Sequence, residues 1–314
     1  MVEKIIIIGS GPAGLSAAIY AAREGFEPLL IAGSKGGGQL ELTTVVENFP
    51  GFPDGVNGPD VVKFMKKQAE KFGTRFIEKD VEEVYLKSKP IKVTVEEKIY
   101  ETDSLIIATG ANAKWLGLPS ESKFIGKGVS SCGTCDGPFF KNKDVIVVGG
   151  GDTAMEDSIF LTKFANSVTI VHRKDTLKAS KIMQERAKSN KKIKFIWNSV
   201  IEEILGDAKV TGVKIKNIIT NEISEIKIDG IFVAIGYKPN TEIFKNQLKL
   251  DENGYIETID EIKTDIDGVY IAGDVADKYY RQAITASASG VKCALHAREY
   301  LSNLYYNKEK ENKK

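Results

Sequence analysis

One pattern occurs twice along this chain: a strand of apolar residues, a glycine turn, a helix, a second strand and, further on, a closing strand that ends at glycine. The first copy starts at Lys4–Ile8 and turns through Gly9-Ser10-Gly11-Pro12-Ala13-Gly14. A predicted helix from Pro12 to Glu24 and a strand from Pro28 to Ile31 follow, and the copy closes with Ser104-Leu105-Ile106-Ile107-Ala108-Thr109-Gly110. The second starts at Asp144–Val148, turns through Gly149-Gly150-Gly151-Asp152-Thr153-Ala154 and continues as a predicted helix from Thr153 to Phe164. Its second strand is Ser167 to Val171, and it closes with Gly230-Ile231-Phe232-Val233-Ala234-Ile235-Gly236. A duplicated mononucleotide-type unit accounts for both halves. Between second strand and closer, each copy also carries period-two stretches, Ile91 to Val95 in the first and Val210 to Lys216 with Glu225 to Ile228 in the second. That alternation marks antiparallel strands. The expected fold is α/β: two Rossmann-like, three-layer dinucleotide-binding domains, each with a small antiparallel β layer, the second inserted in the first.

The insertion follows from the C-terminal third. Gly268-Val269-Tyr270-Ile271-Ala272-Gly273-Asp274 is another strand entering a turn, and a predicted helix runs from Gln282 to Leu301. Neither starts a third repeat, so both are expected to fold back onto the first domain. The domain plan is then 1–113 with 241–314, interrupted by 114–240. Hinges are expected at Gly110–Pro119 and at Tyr237-Lys238-Pro239-Asn240, where prolines break regular structure. The charged tail, Asn307 to Lys314, lacks apolar anchors and is expected to be disordered.

The 314 residues suffice for two such domains, and 42% hydrophobic with 28% charged residues is a soluble globular composition. Lys plus Arg number 44 against 43 Asp plus Glu, a formal charge of +1, which gives no general attraction to nucleic acid or anionic membrane. The apolar start, Ile5 to Ile8, is too short for a signal peptide or a membrane span. The expected location is cytoplasmic.

Gly9, Gly11 and Gly14 each have a task in a dinucleotide turn: a tight bend, close approach of backbone to a pyrophosphate, and close helix packing. Pro12 suits the first helical turn, whose N-terminus then faces phosphate. The acidic residue that commonly follows the second strand is absent, because that strand ends Ile31-Ala32-Gly33-Ser34. The next segment, Lys35-Gly36-Gly37-Gly38-Gln39-Leu40, reads equally as a backbone cradle for a large ligand or as a surface loop. In the second turn, Gly149-x-Gly151-x-x-Ala154 is an accepted variant. Its second strand ends Val171-His172-Arg173-Lys174, with Lys178 soon after. Cations in place of a carboxylate suit the 2′-phosphate of NADP, so NADPH is expected over NADH. The alternative is a solvated basic face.

Of three cysteines, Cys132 and Cys135 form a Cys-x-x-Cys pair just before the second repeat. Two nucleotide turns and one vicinal pair suggest an electron relay that ends in a disulfide. Zinc would need two further ligands, and Cys293, His172 and His296 stand at no metal spacing; no metal is expected. At the start of a helical turn, the helix N-terminus favours thiolate. Asp136 would oppose thiolate if ionised, so its better role is proton donor to a leaving thiolate, with a pKa raised by burial. Its alternative role is a helix cap. Cys293, among Val291, Ala294 and Leu295, reads as an inert small hydrophobe.

Taken together, these residues resemble the low-molecular-weight thioredoxin reductases over nearly the whole chain. The likeness rests on Gly-Ser-Gly-Pro-Ala-Gly (9–14), Gly-Gly-Gln-Leu (37–40), Glu-Asn-Phe-Pro-Gly (47–51), Ala-Thr-Gly (108–110) and Cys-Gly-Thr-Cys-Asp-Gly (132–137). It continues through Gly-Gly-Gly-Asp-Thr-Ala (149–154), Val-Thr-Ile-Val-His-Arg (168–173), Ala-Gly-Asp-Val (272–275) and Arg-Gln-Ala (281–283). The resemblance implies FAD in the first domain, NADPH in the second, and a homodimer. It implies FAD contacts at Gly9, Ser10, Gly11, Pro12, Ala13, Gly14, Lys35, Gly38, Gln39, Leu40, Asn48, Ala108, Thr109, Gly110, Gly273, Asp274, Arg281, Gln282 and Ala283. NADPH contacts are implied at Gly149, Gly151, Asp152, Thr153, His172, Arg173, Lys174 and Lys178.

The resemblance also implies that Cys135 is the flavin-proximal thiol, that Cys132 attacks the disulfide of thioredoxin, and that Asp136 is the acid–base residue. The inserted domain is expected to swing on its hinges between the two half-reactions. Two positions depart from the family pattern. Gly133 stands where alanine is usual, which is expected to loosen the turn, and Lys178 stands where arginine is usual, which weakens a bidentate grip on phosphate. A glutaredoxin-like or peroxiredoxin partner is the alternative acceptor, and a non-enzymatic redox sensor the alternative class. Reductases of this fold that serve ferredoxin are expected to lack the dithiol. No acceptor domain precedes Met1, so the acceptor is expected to be a separate protein.

Overall fold

The computed structural model describes residues 2–311. Its chain packs as two compact units, one from residues up to Asn112 together with those from Lys238 onward, the other Ala113–Tyr237. The chain crosses between them through the strands Ala111–Ala113 and Tyr237–Pro239.

The first unit is built on a seven-stranded sheet. Arg75–Ile77, Leu29–Ile31, Val2–Ile8, Lys98–Ile107 and Val269–Ile271 run parallel, and Ile91–Val95 and Glu83–Tyr85 continue the sheet antiparallel. The run of four isoleucines at 5–8 is explained by burial on both faces. Ile5 and Ile7 pack with Leu15, Ala18 and Leu301 of the covering helices, while Ile6 and Ile8 pack with Val84, Leu86 and Ile91 on the opposite face.

The small antiparallel layer of this unit is continuous with the parallel sheet and packs on the face that carries Ile6 and Ile8. Lys98–Ile107 is ten residues long, about 33 Å of strand, which is enough for two neighbours along one edge. Its first half pairs with Ile91–Val95 and its second half with Val269–Ile271.

In the second unit Val129–Ser130, Gly230–Val233, Asp144–Val148, Ser167–Val171 and Ile193–Ile196 form a five-stranded parallel sheet. A distinct three-stranded antiparallel sheet, Ser199–Gly206, Val210–Asn217 and Ile223–Lys227, covers one face.

The C-terminal helix, Ala283–Glu311, lies on the helix Pro12–Arg23. It runs further than its apolar pattern suggests, and the expectation of disorder from Asn307 fails as far as Glu311. Tyr305 Oη donates to Asp103 Oδ2 at 3.0 Å and Lys308 Nζ stands 3.5 Å from Asp103 Oδ1, so one acidic residue anchors the charged end. Residues 312–314 of that expected tail lie outside the described residues.

Candidate functional site

In the first unit the glycine turn is pressed against the end of a neighbouring strand. Gly9 has φ +107°, and a Cβ on it would stand 2.2 Å from the Ala108 carbonyl oxygen. A Cβ on Gly14 would stand 1.9 Å from the Gly9 carbonyl oxygen, so the helix is closed hard onto the turn. Gly11 meets nothing within 4 Å. It caps the helix Pro12–Arg23 with no side-chain partner, which leaves first-turn N–H groups directed at open space.

Other segments gather at this turn. Ser10 Oγ donates to Ala32 O at 2.9 Å and accepts the Gly37 N–H at 2.9 Å. The glycine-rich stretch is thus bonded in place, and its end forms the 3₁₀ helix Gly38–Leu42. A Cβ on Gly38 would stand 3.4 Å from Gly11 Cα. Asn48 Nδ2 donates to Gln282 Oε1, and Gln39 Nε2 donates to Asn112 Oδ1, each at 3.2 Å. Gly273 lies against Ala13, where an added Cβ would come within 2.9 Å of the alanine Cβ. Arg281 takes the left-handed φ of +48° immediately before the long helix that Ala283 opens. Lys35 is exposed, and the Leu40 side chain packs into the core. Gly110 is open, while Thr109 is clasped by Asn240: Thr109 Oγ1 donates to the Asn240 carbonyl and Asn240 Nδ2 donates to the Thr109 carbonyl, both at 2.8 Å.

Asp274 is the telling residue of this group. Its Oδ1 is buried with no hydrogen-bond partner among the described residues. Burial pushes its carboxyl up to about 7, with Asp277 adding and Arg281 opposing. An orphaned buried carboxyl oxygen is costly unless a ligand donor completes it. A polyol hydroxyl beside it and a pyrophosphate at Gly11 would satisfy both open features, so these residues fit the FAD that the sequence leads one to expect. A carboxylate does stand beside the end of the second strand, carried by the loop after Arg75–Ile77. Asp80 accepts the Ser34 N–H at 2.9 Å and the Ser34 hydroxyl at 2.6 Å.

The second unit repeats the turn. A Cβ on Gly149, φ +156°, would stand 2.4 Å from the Ala234 carbonyl, and Gly151 is open. Gly150 is covered by the His172 imidazole, which an added Cβ would approach to 2.3 Å. His172 is buried. Burial holds it below its usual range, a hydrogen bond to Thr176 opposes, and Arg173 and Lys174 push it lower. It packs as a neutral ring rather than joining the cations. Arg173, Lys174 and Lys178 are exposed, and the Lys178 N–H donates to the Gly150 carbonyl at 2.7 Å, which ties this cationic loop to the turn. Asp152 Oδ1 accepts from Ser180 N and Oγ at 2.9 and 2.8 Å, so its carboxylate braces the same loop. Thr153 is half-buried in the first turn of the helix Asp152–Leu161.

The same unit carries a disulfide, Cys132–Cys135, with Cα atoms 5.3 Å apart. Cys132 is the N-cap of the short helix Gly133–Asp136, and its Sγ accepts the Cys135 N–H at 3.2 Å. The Cys132 N–H is held by Ser130 Oγ at 3.0 Å. The capping role considered for Asp136 therefore falls to Cys132. Burial raises the Asp136 carboxyl above the usual range and a hydrogen bond from Ser130 opposes the rise, which suits a proton donor. Cys293 is buried, donates to the Ile271 carbonyl at 3.2 Å, and its thiol is pushed up by burial, as suits a packing residue. The sequence reading missed Asp80, Asn240, Ser130 and Asp157, the last of which lies behind the disulfide.

Comparison with known proteins places this geometry among relatives. Residues 3–290 match the family model described as pyridine nucleotide-disulphide oxidoreductase. The chain is 51% identical over 304 residues to a thioredoxin reductase of Rickettsia prowazekii (strain Madrid E), covering 95% of this chain and 98% of that protein. It is 49% identical over 306 residues to a thioredoxin reductase of Streptomyces coelicolor, covering 96% and 95%. A solved thioredoxin reductase from Streptococcus pyogenes superposes with a TM-score of 0.91 at 41% identity, covering 95% of this chain and 98% of that one.

Proposed function

The chain belongs to the pyridine nucleotide-disulphide oxidoreductase family, and within it we propose that this protein is a thioredoxin-disulfide reductase with NADPH as electron source, FAD as resident carrier and oxidised thioredoxin as acceptor. The observation that carries the reading is the Cys132–Cys135 disulfide beside a carboxyl group raised by burial, in the same unit as a glycine turn flanked by cations. When bound, FAD supplies two-electron carriage between a hydride donor and a disulfide.

The chain's own residues do the rest. In the first unit, the domain read as the FAD site, the turn at Ser10–Ala13 offers backbone N–H groups to a pyrophosphate and Asp274 offers a carboxyl oxygen to a hydroxyl. In the second, Gly151–Thr153 offers the matching N-terminus, and Arg173, Lys174 and Lys178 offer charge to a 2′-phosphate. The Cys135 N–H, already directed at Cys132 Sγ, favours thiolate on Cys132 once the pair is reduced. That thiolate attacks the partner disulfide. A bond forms between Cys132 and one partner sulfur, and the other leaves with a proton from Asp136. Cys135 then attacks Cys132 Sγ, closes the internal disulfide and releases the second partner thiol. The reading includes the inserted unit turning on its two chain crossings between half-reactions, a homodimer and a cytoplasmic location. The family likeness supports these, and no helix of the described residues is long and apolar enough to cross a membrane.

The test mixes the purified protein with NADPH, thioredoxin and a chromogenic disulfide. Turnover should require thioredoxin and vanish in Cys132→Ser and Cys135→Ser. Turnover that ignores thioredoxin would assign another acceptor, and a colourless protein that takes up no flavin would end the reading.

A further inference from the structure

In a dinucleotide-binding unit, the ribose of the adenosine is commonly held by an acidic residue at the end of the second strand. Here Leu29–Ile31 is followed by Ala32-Gly33-Ser34, and none of these is acidic. Its parallel neighbour Arg75–Ile77 ends level with it, Ile31 opposite Ile77. The loops after the two strands leave side by side. The Ala32 N–H donates to the Ile77 carbonyl at 2.8 Å, and the Gly33 N–H to the Lys79 carbonyl at 3.2 Å. That pairing delivers Asp80 to the end of the second strand. A Cβ on Gly33 would stand 3.3 Å from Asp80 Oδ1, so the neighbouring loop's carboxylate lies where a side chain at 33 would begin.

Asp80 is fixed there and still accessible. Its Oδ2 accepts the Ser34 hydroxyl at 2.6 Å and its Oδ1 the Ser34 N–H at 2.9 Å. These two bonds hold its carboxyl below the usual aspartate range, with burial opposing and the Lys35 charge adding, so it is ionised at neutral pH. An ionised carboxylate has about four acceptor positions. Ser34 takes one on each oxygen, and both residues are exposed, so acceptor capacity is left for a ligand. The other end of the same loop is tied to the first nucleotide turn, where Ser10 Oγ accepts the Gly37 N–H at 2.9 Å. The Ser34–Gly37 loop is thus held between Asp80 and the turn that faces the pyrophosphate.

We propose that Asp80 stands in for the missing strand-end carboxylate and accepts hydrogen bonds from the ribose hydroxyls in the adenosine half of FAD. The inference rests on the reading of the first unit as the FAD site. It assigns the ribose contact to a residue far along the chain from the glycine turn, brought to that turn by strand pairing alone.

The full-length flavoprotein is equilibrated with an excess of an equimolar mixture of FAD and an FAD analogue whose adenosine lacks the 2′- and 3′-hydroxyls. Protein is recovered when exchange is complete, and the two bound flavins are counted by mass. Wild type should hold FAD over the analogue by about tenfold or more, the worth of a hydrogen bond to a charged group. Asp80→Asn keeps the size and removes the charge; it should lower the ratio to about threefold or less, and Asp80→Ala should bring it to about one. Ser34→Ala removes one bond to Asp80 but leaves the carboxylate, so the ratio should stay within about twofold of wild type. A carboxylate that only braced the loop would weaken both flavins alike and leave the ratio where it was. A wild type indifferent to the hydroxyls, an unchanged ratio in Asp80→Ala, or a ratio lost in Ser34→Ala and kept in Asp80→Asn would overturn the proposal. The exchange uses neither NADPH nor thioredoxin. A protein that takes up neither flavin fails the proposed function as well, whereas one that takes up both equally fails this inference alone.

Discussion

The hydroxyl of Ser10 accepts the buried Gly37 N–H at 2.9 Å, which locks the glycine-rich segment onto the first nucleotide turn. The same hydroxyl donates to Ala32 O at 2.9 Å, so one side chain joins three backbone segments. Ser10→Ala strands a buried donor, a loss of about 1–3 kcal/mol. Flavin bound per polypeptide should fall and thermal unfolding should begin several degrees lower. Unchanged flavin content and unchanged melting would remove Ser10 from this role.

Asp274 makes the stability of the flavin-free protein depend on pH. In the folded chain its carboxyl keeps its proton up to about 7; in the unfolded chain it ionises near the ordinary aspartate value, about 4. Between these values the folded state holds the extra proton, so stability falls as pH rises, by up to about 4 kcal/mol. Denaturant unfolding of the flavin-free protein at pH 5 and pH 8 measures the fall, and Asp274→Asn should abolish most of it. Equal pH dependence in both proteins would contradict the assignment.

Features that rest on local spacing were legible in the sequence. Gly9–Gly14, Gly149–Ala154 and the Cys132–Cys135 pair each announce themselves within a few residues, and the isoleucines at 5–8 mark a strand buried on both faces. What depends on distant pairing was not legible. Asp80 reaches Ser34 because Leu29–Ile31 pairs with Arg75–Ile77, and Asn240 reaches Thr109 across 131 residues. The helical end of the chain escaped notice because its anchor, Asp103, lies on a strand far away in sequence. Asp157 did leave a signal, an acidic residue on the stripe that buries Ala154, Ser158 and Leu161. Its packing against Gly133 is visible only in the folded chain.

Asp136 should set the basic limb of the thioredoxin-reducing reaction. Its carboxyl is raised by burial and lowered by the Ser130 hydrogen bond. Protonated acid is lost as pH rises through its pKa, so activity that depends on it declines along that limb. Asp136→Asn should lower kcat/KM for thioredoxin by about a hundredfold or more. Ser130→Ala removes the opposing interaction and should move the limb to higher pH. A limb that stays in place in Ser130→Ala would mean that another group titrates there.

The preference for NADPH should reside in Arg173, Lys174 and Lys178, and not in the imidazole that precedes them. His172 is buried over Gly150, held below its usual range by burial, and its Nε2 lies 3.1 Å from the Thr176 carbonyl. It shapes the loop without adding charge. Arg173→Ala and Lys178→Ala should each reduce the ratio of kcat/KM for NADPH to that for NADH by about tenfold, about 1.4 kcal/mol of lost phosphate attraction. Lys178→Arg should raise the ratio, because a guanidinium can grip phosphate through two donors. Gly150→Ala works differently. Its methyl would stand 2.3 Å from His172 Cε1, so the ring and the loop behind it must move, and KM should rise for both nucleotides alike. Rates measured across a range of salt concentrations separate the two effects, because charge pairing is screened by salt and a steric shift is not. A change of preference in His172→Gln as large as in Arg173→Ala would show that the imidazole carries charge to the phosphate after all.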